Sequence, residues 1–222
     1  MKNSCLSIKR EKFVLRDLNA NPFVMNLKHT FQDHKNLYVT LQNFSMENLK
    51  SRIKSKLGLH NNEFNFYAAE IIVALKMIHN KNIIYRNMTP DNIFLSYTGH
   101  VVLTNFGYSK KFNNLKKDKT FTRCGTPGYL APEILLGTGY SYKADIWSLG
   151  VTICEILGGW IPFSDTDPQR IHSKIVHGQV FSEKLPKNLT YEMKDLLKKI
   201  FVWYPESRIS LEEIQEHPVF NK

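Results

Sequence analysis

The sequence has 222 residues, of which 42% are hydrophobic and 12% aromatic, and this is enough apolar material for one substantial core. That content excludes a disordered chain, and the N-terminal stretch MKNSCLSIKREKF lacks the apolar segment of a secretory signal peptide. The formal charge of +10 is compatible with nucleic-acid binding, but Lys greatly outnumbers Arg and Asn is abundant throughout. We therefore attribute the surplus to a general compositional bias and expect no nucleic-acid partner.

The cysteines and one apolar run indicate where in the cell the protein is expected. Cys5, Cys124 and Cys154 are odd in number and widely spaced, which fits a reducing environment, so we expect a cytoplasmic or nuclear protein. The run from Ile146 to Phe163 contains a single charged residue and approaches the length of a membrane span. Asp145 before it and its Gly-Gly-Trp ending favour a helix buried in a protein core, so we expect no membrane association.

The first predicted elements along the chain are a helix and a pair of strands. Residues 4–17 show the apolar periodicity of an amphipathic helix, which Asn21 and Pro22 end. Residues 23–31 and 37–41 have the composition of two strands, and the polar turn QDHKN joins them.

Two helices are predicted next, over residues 46–56 and 64–79, with Asn61 or Asn62 as the N-cap of the second. The apolar residues of the second helix cover more than one face, which predicts that it is buried. Residues 83–107, IIYRNMTPDNIFLSYTGHVVLTNFG, are predicted to form a short strand, a polar loop and a hairpin. Because a hairpin holds two polar loops a fixed distance apart, their side chains can be directed at one ligand.

The C-terminal part is predicted to be mainly helical. Residues 108–119 form a basic segment, expected to be flexible, which leads into TFTRCGTPGYLAPE. A central helix is expected over residues 143–157, followed by helices around residues 171–177 and 193–201.

The loop and turn within residues 83–107 resemble the catalytic loop and metal-binding turn of protein kinases, where the motifs are HRDLKPEN and DFG. Tyr85 in the first position is typical of the cAMP-dependent and related (AGC) serine/threonine kinases. The resemblance implies an α+β, protein-kinase-like fold with a mostly helical large lobe, residues 45–222. It implies a truncated small lobe, residues 1–44, that contains only the C helix and two strands and ends in a hinge at residues 42–44.

The residues that carry the chemistry in this family differ here. Asn87 stands in place of the Asp that accepts the substrate proton, and Thr89 in place of the Lys that neutralises the phosphate. Asn105 replaces the Asp that binds Mg²⁺, whereas Asn92, the second metal ligand, remains. Glu11 matches the partner of a strand Lys, but only ten residues precede it, so we expect neither that Lys nor the glycine-rich loop. The resemblance implies ATP and Mg²⁺ as cofactors, and with these losses we expect weak or absent binding.

The segment TFTRCGTPGYLAPE resembles the activation segment of the family. The resemblance places Thr122 at the phosphorylated position, with Arg86 and Lys110 matching two of the cations that hold the phosphate. The alternative is that Thr122 is an unmodified loop residue.

Several framework positions match those of the family. The resemblance implies that Glu133 and Arg208 form a buried ion pair, whose breaking costs about 3 to 5 kcal/mol. Asp145 opens the DxWxxG pattern of the central helix. A hydrophobic column that links the lobes is also implied, and its positions are Leu15, Leu27, Tyr85, Phe106 and Asp145.

Two acidic residues indicate a partner. Asp91 and Glu155 stand at positions with which AGC kinases bind basic peptides, and Gly128 replaces a third. The resemblance implies a protein or basic-peptide partner, with a kinase regulatory subunit as one candidate. The alternative is that both acidic residues are solvated or structural.

Three interpretations of function follow. The first is a catalytically inactive serine/threonine-kinase-like protein that acts by binding or scaffolding in signalling. The second is an active kinase that phosphorylates Ser or Thr on basic peptides with ATP and is seen here as an incomplete sequence. The third is a decayed gene product, in which Phe23, Val24 and the strand at 37–41 expose an apolar edge.

Overall fold

The computed structural model describes residues 2–43, 45, 47–59, 61–177 and 189–220. These residues form eight α-helices and six short strands. The helices are α1 Lys2–Asp17, α2 Leu49–Lys56, α3 Asn61–His79, α4 Pro132–Leu136, α5 Lys143–Gly158, α6 Pro168–Val176, α7 Tyr191–Ile200 and α8 Leu211–Gln215. The strands are β1 Leu27–Gln32, β2 Leu37–Leu41, β3 Ile83–Ile84, β4 Ile93–Leu95, β5 Val101–Leu103 and β6 Lys110–Lys111.

The strands form three antiparallel pairs, β1 with β2, β3 with β6 and β4 with β5. Phe31 lies opposite Tyr38 in the first pair, and Ile93 lies opposite Leu103 in the third. Small strand pairs beside a larger set of helices confirm the predicted α+β fold with a mostly helical large lobe.

The core of the large lobe is built around α5. All residues of this helix from Ala144 to Ile156 are buried, which confirms the buried helix predicted for the apolar run. Gly150 allows the close approach of α7, because a Cβ there would lie 2.4 Å from Ile200 Cγ2. In the part of the chain that the structure describes, no helix has both the length and the apolarity needed to cross a bilayer.

The small lobe consists of α1 and the β1–β2 hairpin. Val14 and Leu15 are buried, and Val24 forms a parallel bridge to Leu103 in the large lobe. Residues 23–26 therefore join the two lobes, so the prediction that the first strand begins at residue 23 is wrong, and so is the expectation of an exposed Val24. Aromatic surface is exposed instead on the hairpin, where Phe31 is 57% and Tyr38 39% accessible.

Several predicted boundaries shift. Asn61 and Asn62 lie inside α3, so neither is its N-cap. Phe66 on this helix is exposed, so burial is confined to one side rather than extending around it. The predicted hinge at 42–44 and the predicted helix start at 46 fall partly outside the described residues.

The basic segment that was expected to be flexible is held by hydrogen bonds. Lys110 and Lys111 form β6, which pairs with β3. The Asp118 carboxylate accepts hydrogen bonds from the backbone N–H groups of Asn113 and Asn114 at 3.0 and 2.9 Å. A strand pair and a side-chain-capped turn therefore fix much of this segment.

Candidate functional site

Asp145, at the start of α5, holds the polar loop between β3 and β4 by accepting hydrogen bonds from its backbone. The Asp145 carboxylate accepts hydrogen bonds from the backbone N–H groups of Tyr85 and Arg86 at 2.8 and 2.7 Å. It also lies 2.8 Å from His79 Nε2. Arg86 has a φ of 64°, a left-handed conformation that costs on the order of 1 kcal/mol for a residue with a side chain. Asp145 therefore stabilises a loop conformation that the local sequence does not favour.

Asn87 and Thr89 are both buried within this loop. Asn87 Oδ1 accepts a hydrogen bond from Thr126 Oγ1 at 3.4 Å. Thr89 Oγ1 accepts one from Asn92 Nδ2 at 3.1 Å, and the same amide group donates to Asn87 O at 3.0 Å. The Thr89 hydroxyl is thus turned into the loop and brings no positive charge to the cleft.

Asn92 and Asn105 are hydrogen-bonded directly to each other. Asn105 follows β5 in a left-handed conformation with a φ of 58°, and its Nδ2 donates to Asn92 Oδ1 at 3.1 Å. Thr104 fixes the distance between the two loops, because its backbone N–H and its Oγ1 both donate to Asn92 O at 3.0 Å.

This pair does not fit a magnesium ion. Mg²⁺ takes oxygen ligands at about 2.0–2.1 Å in near-octahedral geometry and is bound through carboxylates and phosphates. Asn105 instead presents an amide donor to the Asn92 oxygen, and both side chains are uncharged. Among the described residues, no group of three His, Cys, Asp or Glu side chains is arranged to hold a metal ion.

Helix α1 packs on the turn that contains Asn105. Glu11 Oε1 accepts a hydrogen bond from Phe106 N–H at 2.9 Å, and Arg10 donates to Gly107 O at 3.3 Å. Burial raises the pKa of the Glu11 carboxyl above its usual range, and the hydrogen bond from Phe106 offsets part of that rise. A Cβ at residue 107 would lie 2.3 Å from Ser7 Oγ, so a larger residue there would force the Ser7 hydroxyl to rotate away. The Glu11 side chain therefore anchors the turn by binding the backbone N–H of Phe106.

The predicted hydrophobic column lies in the core. Leu15, Tyr85 and Phe106 are buried, and Leu27 packs against the same cluster while partly exposed. The rings of Tyr85 and Phe106 are 5.0 Å apart, and Tyr85 OH donates to Thr104 O at 2.6 Å. These contacts link the catalytic-loop position to the turn after β5.

The activation-segment residues meet around Tyr140. Thr122 is exposed, and its backbone O accepts a hydrogen bond from Tyr140 OH at 2.6 Å. Arg86 Nη1 donates to the same hydroxyl at 3.2 Å, and Lys110 Nζ donates to Thr120 Oγ1 at 3.0 Å. Lys110 thus contacts the residue two positions before Thr122, and Arg86 contacts the tyrosine that is hydrogen-bonded to the Thr122 backbone. Phosphorylation of Thr122 stays a prediction.

The two acidic residues predicted to bind a peptide have different surroundings. Glu155 is not solvated, because its side chain is 1% exposed and its oxygens contact Lys50 Nζ and Tyr129 OH. Asp91 is exposed on the turn before β4. Burial raises the pKa of Tyr129, and the charge of Asp91 raises it further. Gly128 has a φ of 86°, a conformation unfavourable for a glutamate.

The framework ion pair is completely buried. Arg208 Nη1 and Nη2 donate to the two Glu133 carboxylate oxygens at 2.8 and 3.1 Å. The guanidinium also donates to the backbone O of Lys143 at 2.6 Å and lies 5.2 Å from the centre of the Trp147 ring. Every charge in this cluster has a partner, as a buried ion requires.

Sequence reasoning did not single out Lys50, Thr126, Tyr129 or Tyr140. Thr126 and Tyr129 lie within TFTRCGTPGYLAPE, so a local signal existed for them. Lys50 and Tyr140 reach the site only through tertiary packing, and nothing in their local sequence marks them.

Comparisons with known proteins identify relatives of the chain. A family model described as protein kinase domain matches residues 1–220. The chain is 39% identical over 214 residues to the serine/threonine-protein kinase gad8 of Schizosaccharomyces pombe, covering 95% of the chain and 37% of that protein. It is 39% identical over 201 residues to the human cAMP-dependent protein kinase catalytic subunit PRKX, covering 88% of the chain and 52% of that protein.

A third relative is the cAMP-dependent protein kinase catalytic subunit of Dictyostelium discoideum, 37% identical over 193 residues, or 87% of the chain and 28% of that protein. The chain therefore spans between 28% and 52% of the length of these three relatives.

Proposed function

The chain belongs to the protein kinase family, with relatives in the AGC group, and on that premise we propose that it is a catalytically inactive member that acts by binding a protein partner. The observation that carries the proposal is the direct hydrogen bond between Asn105 and Asn92 at 3.1 Å. It joins the two side chains that would have to hold Mg²⁺ and uses an oxygen that the ion would need. Phosphoryl transfer depends on that charge neutralisation.

Asn87 supports the same conclusion. A general base typically contributes about 10² to 10⁴ in rate, and an amide oxygen does not accept a proton at neutral pH. Asn87 is buried and accepts a hydrogen bond from Thr126, so its side chain supports the loop. The Glu11 carboxylate likewise accepts a hydrogen bond from the backbone of Phe106. In active members of the family, the glutamate of this helix forms an ion pair with a strand lysine.

A binding function is favoured because the large lobe keeps the groups that shape its surface. Ser148 Oγ donates to Tyr129 O at 2.8 Å, and Tyr129 N–H donates to Thr126 O at 3.1 Å. The segment that carries these residues is therefore fixed in front of α5. Asp91 is exposed on the same lobe, which favours a partner with basic side chains.

Two measurements on the purified protein test the proposal. In a phosphate-transfer assay with radiolabelled ATP, Mg²⁺ and basic peptides, we expect no incorporation above background. In thermal unfolding, we expect millimolar ATP with Mg²⁺ to leave the melting temperature unchanged, since only a ligand of the folded state raises it. An Asn87→Ala variant is the control for contaminating kinases. Incorporation that is present in the parent protein and absent in the variant would overturn the proposal.

An active kinase of which this sequence is one part is the second candidate. The exposed pair Phe31 and Tyr38 favours it, because further strands over the hairpin would bury these rings. Determining the 5′ end of the transcript distinguishes the two candidates. A glycine-rich loop and a strand lysine encoded upstream, together with phosphate transfer by the longer chain, would support the active kinase. An in-frame stop codon shortly before Met1 would exclude that longer chain.

A further inference from the structure

The buried carboxylate of Glu155 is covered by a lysine from another element. Glu155 lies on α5 with 1% of its side chain exposed, whereas the side chain of Lys50, on α2, is 30% exposed. Lys50 Nζ contacts Glu155 Oε1, and Tyr129 OH donates to Glu155 Oε2. Lys50 therefore lies between the solvent and the carboxylate.

The position of Lys50 is fixed by its neighbours in sequence. Asn48 caps α2 by accepting a hydrogen bond from Ser51 N–H at 2.9 Å, and its side-chain amide donates to Asp91 O at 3.5 Å. Leu49 is completely buried. With the residues on both sides held, the backbone of Lys50 is anchored, and its flexible side chain can leave Glu155 without disturbing the helix.

We propose that Lys50 is an internal occupant of an acidic subsite at Glu155, which an arginine of the partner must displace. The inference deepens the proposed function, since it rests on the large lobe binding a partner with basic side chains. In the free protein Lys50 Nζ is ion-paired with Glu155, whose side chain is 1% exposed, so a peptide cation reaches this carboxylate only when Lys50 moves away.

The exchange favours arginine over lysine in the partner. A guanidinium can donate two parallel hydrogen bonds to a carboxylate, whereas an ammonium is a point charge, so a lysine peptide would only replace one ammonium by another. Removing Lys50 without a replacement would leave Glu155 buried and unpaired as a charge, which is costly. Only a small fraction of the free protein therefore has the subsite open. The measured affinity for a peptide is reduced by that fraction.

The test measures binding of a short peptide with two consecutive arginines by fluorescence anisotropy. We expect Lys50→Gln to bind it about tenfold more tightly than the parent protein, because the competing charge is gone. Lys54→Gln is the matched control, since Lys54 is exposed on the same helix and the change in net charge is identical. Lys50→Arg keeps an internal cation and should bind no more tightly than the parent protein.

Two results would contradict the inference. One is equal affinity of Lys50→Gln and Lys54→Gln. The other is a double variant, Lys50→Gln with Glu155→Gln, that keeps the full gain, because the gain must depend on the carboxylate. Phosphate transfer by the parent protein would instead contradict the proposed function, so the two failures are distinguishable.

A second measurement uses the unaltered protein in case Lys50→Gln does not fold. Amine-reactive labelling followed by mass spectrometry reports the accessibility of each lysine. Saturating arginine peptide should increase the labelling rate of Lys50 and leave that of Lys54 unchanged. A Lys50 rate that stays the same or falls would show that Lys50 is not displaced.

Discussion

Two polar networks of the large lobe, one at the framework and one at the cleft, are built from opposite chemistry. The framework network pairs a full negative and a full positive charge, Glu133 and Arg208, at 2.8 Å in the core. The cleft network joins the neutral amides of Asn92 and Asn105 at 3.1 Å. The framework charges serve folding, because each would be left buried and unpaired without the other. In the cleft, Asn105 donates to Asn92, and Asn92 donates to Asn87 O and Thr89 Oγ1, so this network forms from neutral groups of the protein alone.

The largest expected effect comes from breaking the framework pair. Arg208→Met keeps much of the side-chain volume but leaves Glu133 as a buried, unpaired charge, so we expect the free energy of unfolding to fall by about 3 to 5 kcal/mol. Urea unfolding measures the change. Lys199→Met is the control, because it removes an exposed pair with Asp195 and should cost less than about 1 kcal/mol. Equal costs for the two variants would contradict the comparison.

A smaller effect is expected where the framework supports the catalytic-loop position. Asp145→Asn removes a charged acceptor and places an amide donor where the carboxylate accepts two backbone N–H groups. We expect a loss of about 1 to 3 kcal/mol in urea unfolding, since one donor is left without an acceptor. Asp118→Asn offers a comparison at a half-buried turn, where a single carboxylate oxygen accepts both backbone N–H groups and an amide oxygen can replace it. If Asp118→Asn lowers the free energy of unfolding as much as Asp145→Asn does, burial does not explain the loss at Asp145.

Substitution in the cleft network should change the free energy of unfolding only slightly, and that change should depend on Mg²⁺. Asn105→Asp replaces the donor to Asn92 by a carboxylate, so we expect the free energy of unfolding to fall by about 0.5 to 1.5 kcal/mol without metal. Excess Mg²⁺ should recover part of that loss in the variant and have no effect on the parent protein. An equal response of both proteins to Mg²⁺ would show that the amide pair does not exclude the ion.

The smallest effect concerns the pH dependence of stability at Glu11. Burial raises the folded-state pKa of this carboxyl above 4.5, so the folded state holds the proton more tightly than the unfolded state. The contribution of Glu11 is thus fully present below the unfolded pKa and is lost as pH rises through the folded pKa. Relative to the parent protein, Glu11→Gln should gain stability as pH increases through that range, in urea unfolding at a series of pH values. A difference that does not vary with pH would contradict the shift.

Much of the fold could be predicted from local pattern. Apolar periodicity gave the positions of α1, α3, α5 and α7, and turn residues separated the hairpin strands. The errors lie where tertiary contacts override local preference. Residues 23–26 have the composition of a strand, yet Val24 pairs with Leu103 of the large lobe. The basic segment lacks periodicity, yet β6 pairs with Ile83 and Ile84.

By itself, the sequence determined the family resemblance and the identity of the side chains at each motif position, because these depend only on residue type and spacing. It therefore established that Asn87, Thr89 and Asn105 stand where charged groups act in active kinases. Only the tertiary structure decided what these side chains contact. Hydrogen bonds between loops distant in sequence join Asn92 to Asn105, and packing of α2 against α5 brings Lys50 to Glu155. Such contacts depend on distances and directions that a linear pattern does not contain.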